Sequence, residues 1–331
     1  MDISMKQWQE QVIADPAKKP LPVLSFPGAR LIGATVRDVV QRGDVQARCM
    51  KAIADRYPTL ASVSCMDLSV EAEAFGARTI MPDDDVPVIT GHLIESETDV
   101  RQLAIPRPGE GRTGESIRAI ELAVRQITDR PVLAGVIGPF SLAARLAGLT
   151  EIMYLATDEP EMVHALLEKT TRFLTDYVQA FRQAGSHGIV MAEPAAGLLP
   201  PDWNRDFSAR YVTRIVTAVQ DDDFLVVYHN CGQVRQLIPE IVATGARAFH
   251  FGNAVSLSDI IGQVPSDRLV MGNIDPAGQF THGTPQSVAD ATRLLKRQMA
   301  DHPNVVLSSG CDIPPQAPLA NIDAFFSAAA S

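Results

Sequence analysis

Short apolar runs alternate with longer stretches of helical composition along most of the chain. From residue 130 onward, six runs are apolar almost without interruption, which is typical of parallel strands covered on both faces. These runs are PVLAGVIGP (131–139), HGIVMAEP (187–194), FLVVYHNC (224–231), ARAFHFGN (246–253), RLVMGNIDP (268–276) and NVVLSSGCDIP (304–314). The segments between them have the spacing of helices, and the first covers residues 140–184. This order predicts a series of β-α units.

Two further runs lie upstream, PVLSFPG (22–28) and LASVSCMD (60–67), with a helical stretch between them. Counting both gives eight β-α units, which favours an α/β fold of the (β/α)8 TIM barrel type over an open doubly wound sheet. Residues 81–96 break the alternation and are predicted to form an inserted hairpin. Residues 1–20 are predicted to form a helical N-terminal extension, and we expect one barrel domain over residues 1–331.

Composition and charge exclude several classes of function. The formal net charge of −10 argues against nucleic acid or an anionic membrane as the main partner. No apolar run approaches the roughly 18 residues of a membrane span, and the first residues lack the basic and apolar regions of a signal peptide. We therefore expect a cytoplasmic protein. Its four cysteines are then structural, reactive or metal-binding rather than a disulfide framework.

The strand ends carry the candidate chemistry, because in a barrel all of them lie on one face, where active sites form. His229 and Cys231 end the fifth predicted strand, and Cys311 ends the eighth. One imidazole and two thiolates suit zinc, and three protein ligands leave a position open for substrate. Gly232 makes it easier for the chain to curl so that both residues of the HxC pair turn inward. The alternative is that these thiols are small core residues.

The motifs around these residues resemble the uroporphyrinogen decarboxylase superfamily. The chain carries CMDLSVEAEAFGA (65–77), HNC (229–231), MGNIDP (271–276) and SSGCDIPPQAPLANI (308–322). Within that superfamily, the HxC…C pattern is similar to that of the zinc-dependent methylcobamide methyltransferases, and the resemblance covers residues 22–325.

The resemblance implies methyl transfer from a methylated corrinoid (methylcobalamin), carried on a small partner protein, to a thiol such as coenzyme M. Tetrahydrofolate, a pterin, is the alternative acceptor. Zinc would activate the acceptor, because a free thiol is mostly protonated at neutral pH and binding to zinc deprotonates it.

Two other functions stay open. Decarboxylases of the superfamily carry an RQAGRY-like segment whose arginines grip the substrate's carboxylates, whereas the corresponding SFPGARLIGAT (25–35) offers only Arg30. A metal-free lyase of this type would also leave the two cysteines at the strand ends unexplained. The other alternative is a non-catalytic barrel that binds a corrinoid or a tetrapyrrole.

Several strand-end residues have two interpretations each. Glu193 is a candidate catalytic residue and fourth zinc ligand, or else a carboxylate that caps a helix or turn. Asp67 is a candidate catalytic residue, or else the N-cap of the following helix. Arg30 and Asp275 are the candidate cofactor-binding residues, and a surface ion pair is the alternative for Arg30.

Two more residues have candidate roles beside the metal ligands. His250 is a further candidate ligand, or else it packs in the core or supports a ligand. Asp312 is a candidate hydrogen-bond partner of a metal ligand.

Overall fold

The computed structural model describes residues 4–331, and its centre is a sheet of seven parallel strands. In chain order the strands are β1 (Ser62–Val63), β2 (Arg78–Ile80), β3 (Val88–Thr90), β4 (Val132–Ile137), β5 (Gly188–Ala192), β6 (Leu225–Asn230), β7 (Ala248–Phe251), β8 (Leu269–Ile274) and β9 (Val305–Ser309). The sheet order is β1-β4-β5-β6-β7-β8-β9. Each strand of this sheet therefore pairs with the sheet's next strand in chain order, and β2 and β3 are not part of it. Strands β2 and β3 form a separate antiparallel hairpin. An inserted hairpin is therefore present, but it spans residues 78–90 rather than the predicted 81–96.

Helices connect the strands and cover the outside of the sheet. The α-helices of the described residues are α1 (Met5–Ala14), α2 (Gly28–Leu31), α3 (Val36–Gln41), α4 (Gly43–Arg56), α5 (Val70–Ala74), α6 (Glu97–Gln102), α7 (Gly111–Gln126), α8 (Pro139–Ala147), α9 (Leu149–Asp158), α10 (Pro160–Gln183), α11 (Pro201–Trp203), α12 (Arg210–Val219), α13 (Ile238–Ala243), α14 (Leu257–Ile260), α15 (Pro285–Gln298) and α16 (Leu319–Ala330). Shorter 3-10 turns occupy Ala195–Leu198, Val234–Leu237 and Ile261–Gln263, and π-helical turns occupy Asn204–Ala209 and Pro276–Thr281. Among the helices described, none is long and apolar enough to cross a bilayer.

The sheet is closed by a segment that is not a regular strand. The Pro20 carbonyl accepts a hydrogen bond from Leu60 N at 3.0 Å, just before β1, and Leu21 N donates to the Leu307 carbonyl of β9 at 2.9 Å. The prediction of a strand over residues 22–28 is therefore wrong in detail, although the segment takes the eighth position. Proline supplies no N–H for a ladder, so the chain here makes only isolated bonds to its neighbours.

Strand alternation divides the apolar residues into two cores. On β6, Leu225 and Val227 pack inside the barrel with residues of the other strands, whereas Val226 and Tyr228 pack between the sheet and the helices. Successive side chains of a strand point to opposite faces, so His229 and Cys231 continue the inward row. This parity explains how an HxC pair at a strand end delivers both donors to the barrel mouth.

Candidate metal centre

A cavity of about 120 Å³ opens where the strands end, and it contains the predicted ligands. Its walls are mostly apolar and include Met66 and Leu68 after β1 and Val190 of β5. His229, Cys231, Cys311 and Asp312 supply its polar groups. The residues lining it include no arginine or lysine. The pocket can therefore surround a small apolar group while presenting an imidazole, two thiols and a carboxyl group.

The two thiols and the imidazole lie in contact with one another. Cys311 Sγ is 3.6 Å from His229 Nε2, and the thiols of Cys231 and Cys311 share a hydrogen bond. That shared bond, together with burial, raises the pKa of Cys231, while the bond from Cys231 and the nearby His229 lower the pKa of Cys311. Lowered pKa is typical of a thiol prepared to act as a thiolate ligand or nucleophile.

Glycine allows β7 to pass directly against this group. A Cβ built on Gly252 would stand 2.9 Å from both Cα and Cβ of Cys231. Gly232, which follows Cys231, has a φ of 88°, in the left-handed region that favours glycine. The predicted curl after the HxC pair is therefore present.

The donor set fits zinc in its chemistry, although the protein atoms alone do not form a finished site. Among residues 4–331, no three His, Cys, Asp or Glu side chains stand in an arrangement that would hold a metal ion. His229, Cys231 and Cys311 nevertheless provide the imidazole and two sulfurs of a common zinc site, and they converge in one cavity. The zinc site therefore stays a prediction.

His250 lies directly behind His229. Its Nδ1 is 2.7 Å from Nδ1 of His229, and its Nε2 is 2.9 Å from Ser308 Oγ. The ring is 1% exposed, and burial, followed by the neighbouring His229, lowers its pKa well below the ordinary value. Both ring nitrogens of His250 are thus engaged, and this residue supports a predicted ligand.

Asp312 forms one side of the same cavity. Ser25 Oγ lies 3.2 Å from each of its carboxylate oxygens. Burial, followed by the nearby charge of Cys311, raises the pKa of Asp312 well above the ordinary range. The side chain therefore adds a carboxyl group beside the thiols. The sequence singled out Asp312, but it did not indicate that Ser25 would hold it in place.

The structure does not bring Glu193 to the thiols. The cavity is lined by Val190, Ala192 and Pro194, so strand alternation directs Glu193 to the other face of β5. Its oxygens accept hydrogen bonds from Phe140 N and Ser141 N, both at 2.8 Å, at the start of α8. Burial raises its pKa to about 7. The carboxylate satisfies amides at a helix N-terminus, which is the capping interpretation.

Asp67 also faces away from the cavity, into a buried ionic cluster. It forms an ion pair with Arg112, and Ser69 Oγ donates to it at 2.6 Å. Arg112 also contacts Glu73 at 2.7 Å. Nearby, Glu71 Oε1 accepts a hydrogen bond from Ile137 N at 3.0 Å, and its Oε2 has no hydrogen-bond partner among the described residues. Burial raises the pKa of Glu71 to about 7. No spacing in the sequence indicated that Arg112 and Asp67 would meet.

Arg30 and Asp275 have structural partners. The Arg30 guanidinium is exposed and donates to the Ala317 carbonyl. Asp275 accepts hydrogen bonds from Ala277 N and Gly278 N, both at 2.9 Å, and so caps the turn that follows β8. Neither residue lines the cavity, and their predicted cofactor contacts stay untested.

A parallel barrel with reactive side chains gathered at the carboxyl ends of its strands is the architecture of an enzyme. The sequence profile of the uroporphyrinogen decarboxylase (URO-D) family matches residues 23–331, and the chain belongs to this family.

Similar proteins include methyltransferases and decarboxylases. A methylcobamide:CoM methyltransferase MtbA of Methanosarcina acetivorans is 29% identical over 260 residues, which are 77% of this chain and 75% of the relative. A uroporphyrinogen decarboxylase of Alcanivorax borkumensis is 22% identical and covers 88% of this chain and 84% of its own. The solved structure of a methyltransferase from Methanosarcina mazei superposes with a TM-score of 0.86 at 21% identity, covering 98% and 97% of the two chains.

These comparisons confirm the family, the barrel fold and the expectation of an enzyme. They confirm as well the recognised similarity to the methylcobamide methyltransferases. The comparisons establish neither the metal nor the methyl acceptor of this chain.

Proposed function

We propose that this protein is a zinc-dependent methyltransferase that moves a methyl group from a methylated corrinoid to a small thiol. The observation that carries the proposal is the contact of His229, Cys231 and Cys311 in one cavity, with Cys311 Sγ 3.6 Å from His229 Nε2. A decarboxylase that grips several carboxylates needs permanently charged basic groups in its pocket, and the lining residues include no arginine or lysine. The family relatives named for methylcobamide support the same choice.

His229, Cys231 and Cys311 would hold the zinc. Zinc bound there would supply a cation that keeps an acceptor thiol deprotonated at neutral pH. The apolar walls around Met66 and Leu68 exclude water from the acceptor's carbon chain and orient its sulfur toward the mouth. Asp312, held by Ser25, stands beside the sulfurs and can share a proton with an incoming thiol.

The transfer itself balances without another reactant. The acceptor thiolate donates an electron pair to the methyl carbon, the carbon–cobalt bond breaks, and cobalt keeps the electron pair of that bond. The products are a methyl thioether and the reduced corrinoid. A corrinoid is too large for a cavity of about 120 Å³, so the donor must present its methyl group from outside the mouth. This requirement fits a corrinoid held on a partner protein, as the resemblance implied.

The cavity also bears on the acceptor. A thiol on a short aliphatic chain fits a small apolar pocket, whereas tetrahydrofolate would have to place its bulky pterin ring outside it. We therefore propose a small thiol as the acceptor. Coenzyme M appears in the names of three of the relatives.

The first test is metal content by elemental analysis of purified protein. We expect one zinc per chain in the wild type and none in the Cys231→Ser/Cys311→Ser variant. The matched control is Cys49→Ala/Cys65→Ala, which removes two buried thiols that do not line the cavity. Zinc in both variants, or in neither the wild type nor the control after zinc addition, would contradict the proposed site.

The second test is activity. Free methylcobalamin is mixed with the zinc-loaded protein and either a small thiol or tetrahydrofolate, and loss of methylcobalamin absorbance is followed. Thiol-dependent loss that disappears in the Cys231→Ser/Cys311→Ser variant is expected. Loss that needs tetrahydrofolate instead would overturn the choice of acceptor, and no loss with a zinc-loaded protein would favour a binding protein.

A further inference from the structure

A line of four buried groups runs from the predicted metal ligand His229 to Leu21, in the N-terminal segment that closes the barrel. His229 Nδ1 lies 2.7 Å from His250 Nδ1, and His250 Nε2 lies 2.9 Å from Ser308 Oγ. Ser308 Oγ in turn lies 2.7 Å from the carbonyl oxygen of Leu21. His229, His250 and Ser308 are 4%, 1% and 0% exposed, so water does not compete for these bonds.

The Leu21 carbonyl, at the end of the line, fixes the direction of the hydrogen bonds made by Ser308 and His250. The Leu21 carbonyl can only accept, so the Ser308 hydroxyl donates its single proton to it. Ser308 Oγ then accepts from its other neighbour, and the donor must be His250 Nε2–H. Every proton position in this half of the line therefore follows from one carbonyl oxygen.

His250 is neutral in this arrangement. The polar partners of its ring are Ser308, His229 and the backbone of Ser309, and none of them is a carboxylate. A fully buried imidazolium without a negative partner would be costly. A neutral imidazole carries one N–H, and since Nε2 holds it, Nδ1 of His250 has a lone pair.

His229 must then donate from Nδ1. That N–H meets the lone pair of His250 at 2.7 Å, with the His250 carbonyl oxygen as a further acceptor at 3.2 Å. The lone pair of a neutral His229 is consequently on Nε2, the nitrogen that faces Cys311. A histidine binds a metal through such a lone pair, and its other nitrogen is held by a neighbouring acceptor.

We propose that His250 and Ser308 are positioning residues that hold His229 in the Nδ1–H tautomer and thereby prepare Nε2 to bind the metal. The metal part of this inference rests on the proposed function, whereas the tautomer does not. The line also ties the ligand to β7, β9 and the N-terminal segment, so a change at Ser308, which touches neither thiol, reaches the metal site.

The chain offers a matched pair of variants. Ser308→Ala removes the acceptor of His250 Nε2–H. Ser309→Ala removes an equally buried hydroxyl from the next residue of β9. That hydroxyl accepts a hydrogen bond from Val23 N at 3.0 Å, and the substitution keeps the backbone of Ser309, which is hydrogen-bonded to His250. Ser308→Thr keeps the hydroxyl and serves as the conservative rescue.

Two measurements are made on each protein. Nitrogen-15 NMR of the histidine rings in metal-free protein reads the tautomer of His229, and competition with a chelator of known affinity gives the zinc dissociation constant. We expect the Nδ1–H form in the wild type and in Ser309→Ala, and a shift toward the Nε2–H form in Ser308→Ala. Zinc affinity should fall about 10-fold to 100-fold in Ser308→Ala, recover in Ser308→Thr and change little in Ser309→Ala.

The outcomes separate the two proposals. An Nε2–H tautomer in the wild type, or equal zinc affinities in Ser308→Ala and Ser309→Ala, overturns the positioning role. A wild type that shows the Nδ1–H tautomer but takes up no zinc supports the hydrogen-bonded line and contradicts the proposed function.

Discussion

The close approach of Gly252, the residue after β7, to the predicted metal ligand Cys231 allows a test that changes no donor. Gly252→Ala adds one methyl group, whose carbon would stand 2.9 Å from both Cα and Cβ of Cys231. Ordinary contact begins at 3.4 Å, so Cys231 or β7 must move by about 0.5 Å. The atoms in the way are Cα and Cβ of Cys231, which side-chain rotation cannot move aside.

That movement exceeds what a zinc site tolerates. Metal–ligand distances in a plausible site stay within about 0.2 Å of their usual values, so a displacement of Cys231 by several tenths of an ångström weakens the bond from its sulfur. We expect zinc affinity to fall at least about 10-fold, comparable to the loss of a group that orients a ligand.

The assay is chelator competition for zinc, with thermal unfolding measured in parallel. Gly262→Ala is the matched control, because nothing lies within 4 Å of a Cβ at that position and its φ is not in the left-handed region. Wild-type zinc affinity in Gly252→Ala, with a native unfolding temperature, would show that Cys231 is not a ligand or that its position does not matter. Equal losses in both variants would refute the steric reasoning.

Three other side chains give predictions on stability. Glu71→Gln should make the protein more stable above pH 7 by at most about 3 kcal/mol, measured by urea unfolding at pH 5 and pH 8, because burial raises the folded pKa of Glu71 from 4.5 to about 7. With a raised pKa the folded state holds a proton that the unfolded state releases between pH 4.5 and 7, so wild-type stability falls across that window and the variant should lack this fall. Glu193→Gln should keep the wild-type zinc content and lower the free energy of unfolding by about 1–3 kcal/mol, because its new NH2 group faces a backbone N–H at the start of α8. Loss of zinc in this variant would restore Glu193 as a ligand. Arg112→Met should lower the free energy of unfolding by about 3–5 kcal/mol, because it leaves Asp67 buried without its partner. A loss below about 1 kcal/mol, as expected for the exposed pair of Arg56 and Asp323, would contradict that reasoning.

Local patterns were sufficient to predict the barrel and to select its three candidate ligands. The strands are buried on both faces, so their apolar runs stand out, and their carboxyl ends must share one rim. The HxC spacing of His229 and Cys231 matches the two-residue period of a strand, which brings both side chains to the same face.

The same burial on both faces hid the direction of Glu193. Since β5 is apolar on each side, its sequence does not show which residues face the cavity and which face the helices. The sequence did contain a signal against a regular strand at residues 22–28, namely Pro20, Pro22 and Pro27. By contrast, Arg112 with Asp67 and Ser308 with His250 meet only in three dimensions, and no spacing relates them.

The closure of the barrel between its N-terminal segment and β9 has a consequence for how the protein folds to its active form. Ser308 and Leu21 are joined by a hydrogen bond across 287 positions of the chain. Contacts between such distant residues form slowly, because a very large loop must close before they contribute. Cys311 follows β9, the last strand to be synthesised, so nearly the whole chain must be made before the third donor can join His229 and Cys231. A metal ion that binds all three residues therefore stabilises only molecules in which the two ends of the chain have already met.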